Sequence, residues 1–269
     1  MPPVNPAATT ERQFHAIKRC PRPSVRLVCF PHSGGSAGYF RTWKPVLPEG
    51  VELLAVRYPG REERLCDPFA EDMEELAESI ARAAARFDDA PLAFFGHSLG
   101  SLVAYEVAVR LAARHGITLK ALFASSCAAP WLAPRLGLGN AGDEALIARI
   151  RQLGGTDMRV FDDPELRELI MPAIRADYRL LDRYTEPATT ALDCPVHVYH
   201  GTDDPGVEAD SVAAWSRATG HAFSTRAFPG GHFYLADHLP ELTRDLFARL
   251  EAPAVKPPSR SNLFYVLAM

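Results

Sequence analysis

Gly96-His97-Ser98-Leu99-Gly100 places a serine between two glycines, directly after the apolar run Pro91-Leu92-Ala93-Phe94-Phe95. A helical pattern follows it through Leu102, Tyr105, Val109 and Leu111. Strand, glycine turn, helix is the setting in which a G-x-S-x-G motif becomes a nucleophile elbow. A sharp turn lifts the serine hydroxyl, and side chains at the glycines would collide with neighbouring backbone. The turn opens a helix N-terminus, which favours a developing negative charge. The chemistry on offer is nucleophilic attack by Ser98. The bland alternative is a helix start with no chemistry.

A serine nucleophile needs a base, and the base needs an acid to orient it. In the strand–elbow–helix architecture the chain order is serine, then Asp or Glu, then His. Cys194-Pro195-Val196-His197-Val198-Tyr199-His200 reads as a buried strand leaving into Gly201-Thr202-Asp203-Asp204-Pro205. Ala222–Phe228 reads as the next strand, ending in Pro229-Gly230-Gly231-His232. Of the nine histidines, only His32 and His232 lie on glycine-rich loops after strands, and His32 precedes the serine. His97, inside the elbow, is expected to point away from the exposed hydroxyl. His232 is therefore the candidate base. Asp204 is the candidate acid, and Asp203 the alternative, since its side chain can simply cap the turn.

An oxyanion hole needs two N–H donors, one after the nucleophile and one from the loop after an early strand. The first is Leu99. The second lies in Pro31-His32-Ser33-Gly34-Gly35-Ser36-Ala37-Gly38, after the strand-like run Val25–Phe30. Ser33 is the candidate donor, with His32 as the neighbouring alternative and as a substrate contact. The loop lacks the Lys-Ser/Thr ending of a phosphate-binding loop and the full dinucleotide spacing. No metal or organic cofactor is called for.

These loops must share one rim. Strand patterns near Val25–Phe30, Val51–Arg57, Leu92–Phe95 and Ala121–Ala124 alternate with helical patterns at Tyr39–Leu47, Met73–Phe87 and Leu99–Arg114. Such alternation predicts an α/β fold, a mostly parallel sheet wrapped by helices with its site at the C-terminal ends of the strands. From Pro130 to about Pro187 no good strand occurs. Amphipathic patterns at Asp143–Leu153, Pro164–Asp177 and Tyr178–Tyr184 predict a helical lid inserted at the rim. The expected domain spans residues 23–251. A flexible segment, 1–22, precedes it, and a proline-rich tail, 252–269, follows. A further helix is expected from Leu239 to Leu250.

The chain resembles the type II thioesterases that accompany polyketide synthases and nonribosomal peptide synthetases, on the α/β-hydrolase fold. The resemblance rests on Phe30–Ala37, Arg57-Tyr58-Pro59-Gly60-Arg61-Glu62, Phe95–Gly100, Gly201 with Asp204-Pro205, and Gly231-His232-Phe233. It implies Ser98 as nucleophile, His232 as base and Asp204 as its orienter. It also implies hydrolysis of acyl groups from the phosphopantetheine arm of an acyl or peptidyl carrier protein. Alanine is more usual where Ser33 stands and methionine where Leu99 stands; because the donors are backbone N–H groups, the chemistry is unaffected. A carrier presents acid and phosphate, so Arg61 and Arg64 are candidate substrate contacts. The competing expectation is that the arginines pair with nearby acids or carbonyls and only hold their loop. Alternatives to the whole reading are a carboxylesterase or product-releasing thioesterase of the same fold, or a non-catalytic binding module.

Bulk properties agree with a single enzyme domain. The chain has 269 residues, 47% hydrophobic and 23% charged, with a net charge of −4, which offers no footprint for nucleic acid. Five scattered cysteines show no metal-ligand or C-x-x-C spacing. They suit a reduced cytoplasm. Residues 1–22 do not read as a signal peptide, and no apolar run reaches the ~18 residues that cross a bilayer. A monomeric cytoplasmic protein with no membrane partner is expected.

Overall fold

The computed structural model describes residues 6–185 and 190–252. Its centre is a seven-stranded sheet of β1 (Phe14–Lys18), β2 (Val25–Phe30), β3 (Val51–Val56), β4 (Leu92–His97), β5 (Ala121–Ser125), β6 (Val196–Gly201) and β7 (Phe223–Phe228). The spatial order is β1-β3-β2-β4-β5-β6-β7. Strands β2 to β7 run parallel. Every residue of β2, β3, β4 and β5 is buried. That is why these segments read as largely apolar runs rather than alternating ones, with Arg26 of β2 and Glu52 of β3 paired to each other.

Helices α2 (Met73–Ala84), α3 (Leu99–His115) and α7 (Leu239–Glu251) cover the sheet, with α1 (Pro6–Gln13) and the short α6 (Ala209–Ala213) at its margins. Period-two alternation divides the strand side chains between two cores. Phe94 joins Val103 and Ile80 on the α2/α3 face. Phe95 joins Trp43 and Leu246 on the other. The helix boundaries follow local signals. The Asp72 carboxylate caps α2 through the Glu75 N–H at 2.8 Å, and Gly116 ends α3 at φ 64°. The pattern at Tyr39–Leu47 is a 3₁₀ segment, Ala37–Val46.

Two expectations are corrected. Residues 1–22 are not wholly outside the fold: Phe14–Lys18 pairs antiparallel with β3, Phe14 opposite Val56 and Ala16 opposite Leu54. Phe14 and Ile17 are buried in opposite cores, and the register shifts between Ala16 and Lys18, as on an edge strand. In the insertion, α4 (Asp143–Leu153) matches its expected span, but the two patterns after it form one helix, α5 (Pro164–Arg183). The apolar face of α5, Met171, Ile174 and Tyr178, runs unbroken past Pro172, which lies on the exposed side. The tail expected at 252–269 lies outside the described residues beyond Ala252. Among the described residues no helix is long and apolar enough to cross a membrane.

Candidate active site

Strand β4 ends in the elbow. Ser98 sits at φ 55°, ψ −124°, backbone that a non-glycine residue adopts only under strain. The flanking glycines permit the turn. A Cβ at Gly96 would lie 2.2 Å from the Gly100 carbonyl oxygen, and one at Gly100 would lie 2.1 Å from that of Phe30. Ser101 stitches the turn together: its hydroxyl donates to the Gly96 carbonyl at 2.8 Å and accepts the Ser125 N–H at 3.0 Å. The Ser98 N–H is committed to the Ser125 carbonyl at 2.7 Å. Leu99 opens α3, so its N–H has no intrahelical acceptor.

The loops after β6 and β7 touch because Gly201 has no side chain; a Cβ there would fall 2.2 Å from the Gly231 carbonyl oxygen. The Asp203 N–H donates to the Gly230 carbonyl at 2.9 Å, while the Asp203 carboxylate is exposed and accepts from Thr202 Oγ1. Asp204 turns inward. Its carboxylate oxygens lie 2.9 and 3.0 Å from His232 Nδ1, and the ion-pairing groups are 5% and 0% exposed. Burial pushes the Asp204 carboxyl up, but bonds from His232 and the Gly206 N–H outweigh it and hold it below the usual range. His232 Nε2, on the opposite side of the ring, is buried with no partner among the described residues. Both His232 and Ser98 line one cavity of about 280 Å³.

That cavity also carries Ser33 and His32, and its roof is apolar: Leu153, Val160, Phe161, Ile170 and Ile174 from the insertion. The His32 ring is held edge-on between Tyr39 and Phe233, each 4.8 Å away. Burial, then the neighbouring His232 and Arg61, drives its pKa down to about 3. A larger open groove of about 880 Å³ on the outer side of α5 contains none of these residues. No group of three or more potential metal ligands occurs among the described residues.

The two arginines expected to meet substrate are placed elsewhere, and that expectation is corrected. Arg61 is 7% exposed and paired with Asp177 of α5 at 2.8 Å. Arg64 is committed to Asp67 at 2.8 Å, Gln13 at 3.0 Å and the Arg57 carbonyl at 2.9 Å. Both guanidiniums hold protein together. Two site groups escaped the sequence reading. His97 lies against the His232 ring, centroids 5.1 Å apart, with Nδ1 on Ser125 Oγ at 3.0 Å, which in turn meets the Tyr234 hydroxyl at 2.8 Å. Its place next to Ser98 in the motif was the available signal. Asp177 gave none, appearing only as the polar end of a helical pattern.

Comparison with known proteins shows the family. The family described as Thioesterase domain matches residues 25–250. Thioesterase PikA5 of Streptomyces venezuelae is 42% identical over 256 residues, covering 92% of this chain and 90% of its own. Thioesterase TesA of Mycobacterium marinum is 36% identical over 223 residues, covering 82% and 88%. Among solved structures, the type II thioesterase BorB of the borrelidin biosynthetic cluster superposes with a TM-score of 0.81 at 36% identity, covering 89% of this chain and 98% of that one. RedJ, of the prodiginine pathway in Streptomyces coelicolor, gives 0.77 at 34% identity, covering 93% and 89%. The fold, the family match across the sheet domain and these relatives together identify the chain as a member of the thioesterase family, a type II thioesterase on the α/β-hydrolase fold.

Proposed function

We propose that the protein hydrolyses acyl thioesters carried on the phosphopantetheine arm of an acyl or peptidyl carrier protein, through Ser98, His232 and Asp204. The observation that carries the reading is the Asp204-held imidazole. Its Nδ1 is fixed at 2.9 Å, and its Nε2 is left without a partner beside a serine on a strained elbow. Asp204 keeps the proton on Nδ1 and so presents Nε2 as the base. Nε2 takes the hydroxyl proton as Ser98 Oγ attacks the thioester carbonyl. The Leu99 and Ser33 N–H groups stabilise the oxyanion, each contribution being worth about 3 kcal/mol in such sites. The tetrahedral intermediate collapses with cleavage of the C–S bond, and the departing pantetheine sulfur takes the proton from His232 Nε2, leaving as the thiol and freeing the nitrogen. With a thiol pKa of about 8.5 the sulfur leaves readily, so the proton need not move ahead of C–S cleavage. Water, deprotonated by the same nitrogen, then cleaves the acyl-serine, and His232 returns the proton to Ser98. The apolar roof of the 280 Å³ cavity suits the hydrocarbon part of the acyl group. The described cysteines are free thiols, which supports action in the reduced cytoplasm where carrier proteins work.

The test is turnover of a panel of acyl groups loaded on carrier protein, run beside the same groups on free thiols and simple esters. Preference for the carrier-bound series, together with loss of both turnover and fluorophosphonate labelling in Ser98→Ala, is the expected result. Faster turnover of simple esters would make the protein a carboxylesterase instead. Absence of labelling in the parent protein would make it a binding module.

A further inference from the structure

The lid helix and the glycine-rich loop meet at one buried ion pair that the reaction above does not use. Asp177, on the inner face of α5, is 2% exposed. Its carboxylate receives two parallel bonds from the Arg61 guanidinium, Nη1 to Oδ2 and Nη2 to Oδ1, both at 2.8 Å. The same Oδ2 accepts the Gly34 N–H at 2.7 Å, and Arg61 Nη1 also donates to the Gly35 carbonyl at 3.0 Å. The pair therefore grips the first and third of the peptide groups that follow Ser33, Ser33–Gly34 and Gly35–Ser36. Contact reinforces the grip. Gly34 has φ +74°, and a Cβ there would fall 2.7 Å from Cγ1 of Ile174, one turn before Asp177 on α5. On the other side of Ser33, the Tyr58 hydroxyl donates to the Pro31 carbonyl at 3.2 Å, with Arg61 over the Tyr58 ring at 5.3 Å.

Stability does not account for such a pair. Buried ion pairs are commonly matched or exceeded by apolar residues of the same volume, because both charges must be desolvated. Geometry does account for it. An oxyanion donor has to be held to within about 0.5 Å of its productive position. A Ser-Gly-Gly loop has little side-chain packing of its own with which to do that.

We propose that Asp177, oriented by Arg61, is a positioning residue: by fixing the Gly34 N–H it holds the Ser33–Gly34 peptide, and so the adjoining peptide whose Ser33 N–H meets the oxyanion. The proposal rests on the Ser98 mechanism above. Since Ile170, Ile174 and Tyr178 of α5 line the acyl cavity, the helix that touches the acyl chain is also the helix that holds the donor.

The experiment compares three variants with the parent. Asp177→Asn removes the charge. Asp177→Glu keeps it but moves the carboxylate by one methylene. The double variant Arg61→Met/Asp177→Leu replaces the pair with apolar bulk. Each is measured for kcat and KM on a hexanoyl-pantetheine thioester, for inhibition by hexylboronic acid, and for thermal unfolding. Loss of one oxyanion donor costs about 100- to 1,000-fold in kcat, so a displaced donor is expected to cost about 10- to 100-fold. KM should hold within about threefold, and the boronate inhibition constant should rise in step with the fall in kcat. A merely structural pair would show the opposite: the apolar double variant would melt as the parent does and keep its kcat, which overturns the proposal. If Asp177→Asn fails to fold, the double variant and Asp177→Glu decide. Ser98→Ala runs alongside. If it retains turnover, the serine mechanism falls and the proposal with it. If it is dead while folded pair variants match the parent, the positioning role alone falls.

Discussion

Mild acid should destabilise this protein from within its site. His97 is fully buried; burial first, then the nearby His232 and His32, holds its pKa well below the ordinary value. His32 is pushed down to about 3, mainly by burial. In the unfolded chain both return to about 6.5. Below about pH 6.5 the unfolded chain therefore takes up protons that the folded chain refuses, for His32 down to about pH 3, and stability rises with pH, at about 1.4 kcal/mol per unit for His32 and in the same direction for His97. Moving from pH 7.5 to 5.0 removes about 2 kcal/mol through His32, and His97 adds a loss of the same sign. That is an appreciable share of the ~5–15 kcal/mol typical of a domain. His97→Gln retains a polar group near Ser125 and cannot titrate, so the His97 part of the acid loss should disappear. The assay is urea unfolding at both pH values, followed through the buried Trp43 and Trp215. Comparing pH differences cancels the cost of the substitution. It also cancels the same-sign contribution of His197, whose pKa burial lowers to about 4. A parent protein equally stable at both pH values, or a His97→Gln variant with undiminished pH dependence, would mean that these histidines do not resist protonation in the folded protein.

Ser98→Gly should be inactive yet melt about 2–4 °C above Ser98→Ala by calorimetry, since glycine relieves about 1 kcal/mol of the strain at φ 55°; equal melting would mean an unstrained elbow. Asp204→Asn should lower kcat by about 10³- to 10⁴-fold through the wrong imidazole tautomer, with Asp203→Asn near the parent. The reverse ranking in steady-state assays would move the acid by one residue. Gly100→Ala should cost more than about 3 kcal/mol in chemical denaturation, because its Cβ would lie 2.1 Å from the Phe30 carbonyl oxygen. A normally stable variant would contradict that close approach.

What could be read from the chain was local or ordered along it. Strands buried on both faces announce themselves as apolar runs, and the elbow carries its own glycines. Chain order then selected His232 over His32. Contacts made at a distance left no such trace. Phe14–Lys18 is too short and too polar to declare itself, and becomes a strand only because β3 offers a free edge. Arg61 looked available because its partner Asp177 lies 116 residues away. The arginine's role is thus set by a helix whose docking no local pattern encodes. His97 was misread for a related reason: pointing away from the serine hydroxyl does not remove it from the site when the base loop folds back over its ring.

The insertion keeps a core of its own. Leu146, Ile147, Phe161, Met171, Ile174 and Tyr178 pack together as a cluster separate from the two that sandwich the sheet. Substitutions there should redraw the acyl cavity with little effect on the stability of the sheet beneath. Substrate range can thus drift, or be transplanted between relatives, as a module. The exchange carries one condition. Whatever helix arrives must bring an acid to the place of Asp177, or the new acyl group would be received by a site whose oxyanion donor has lost its anchor.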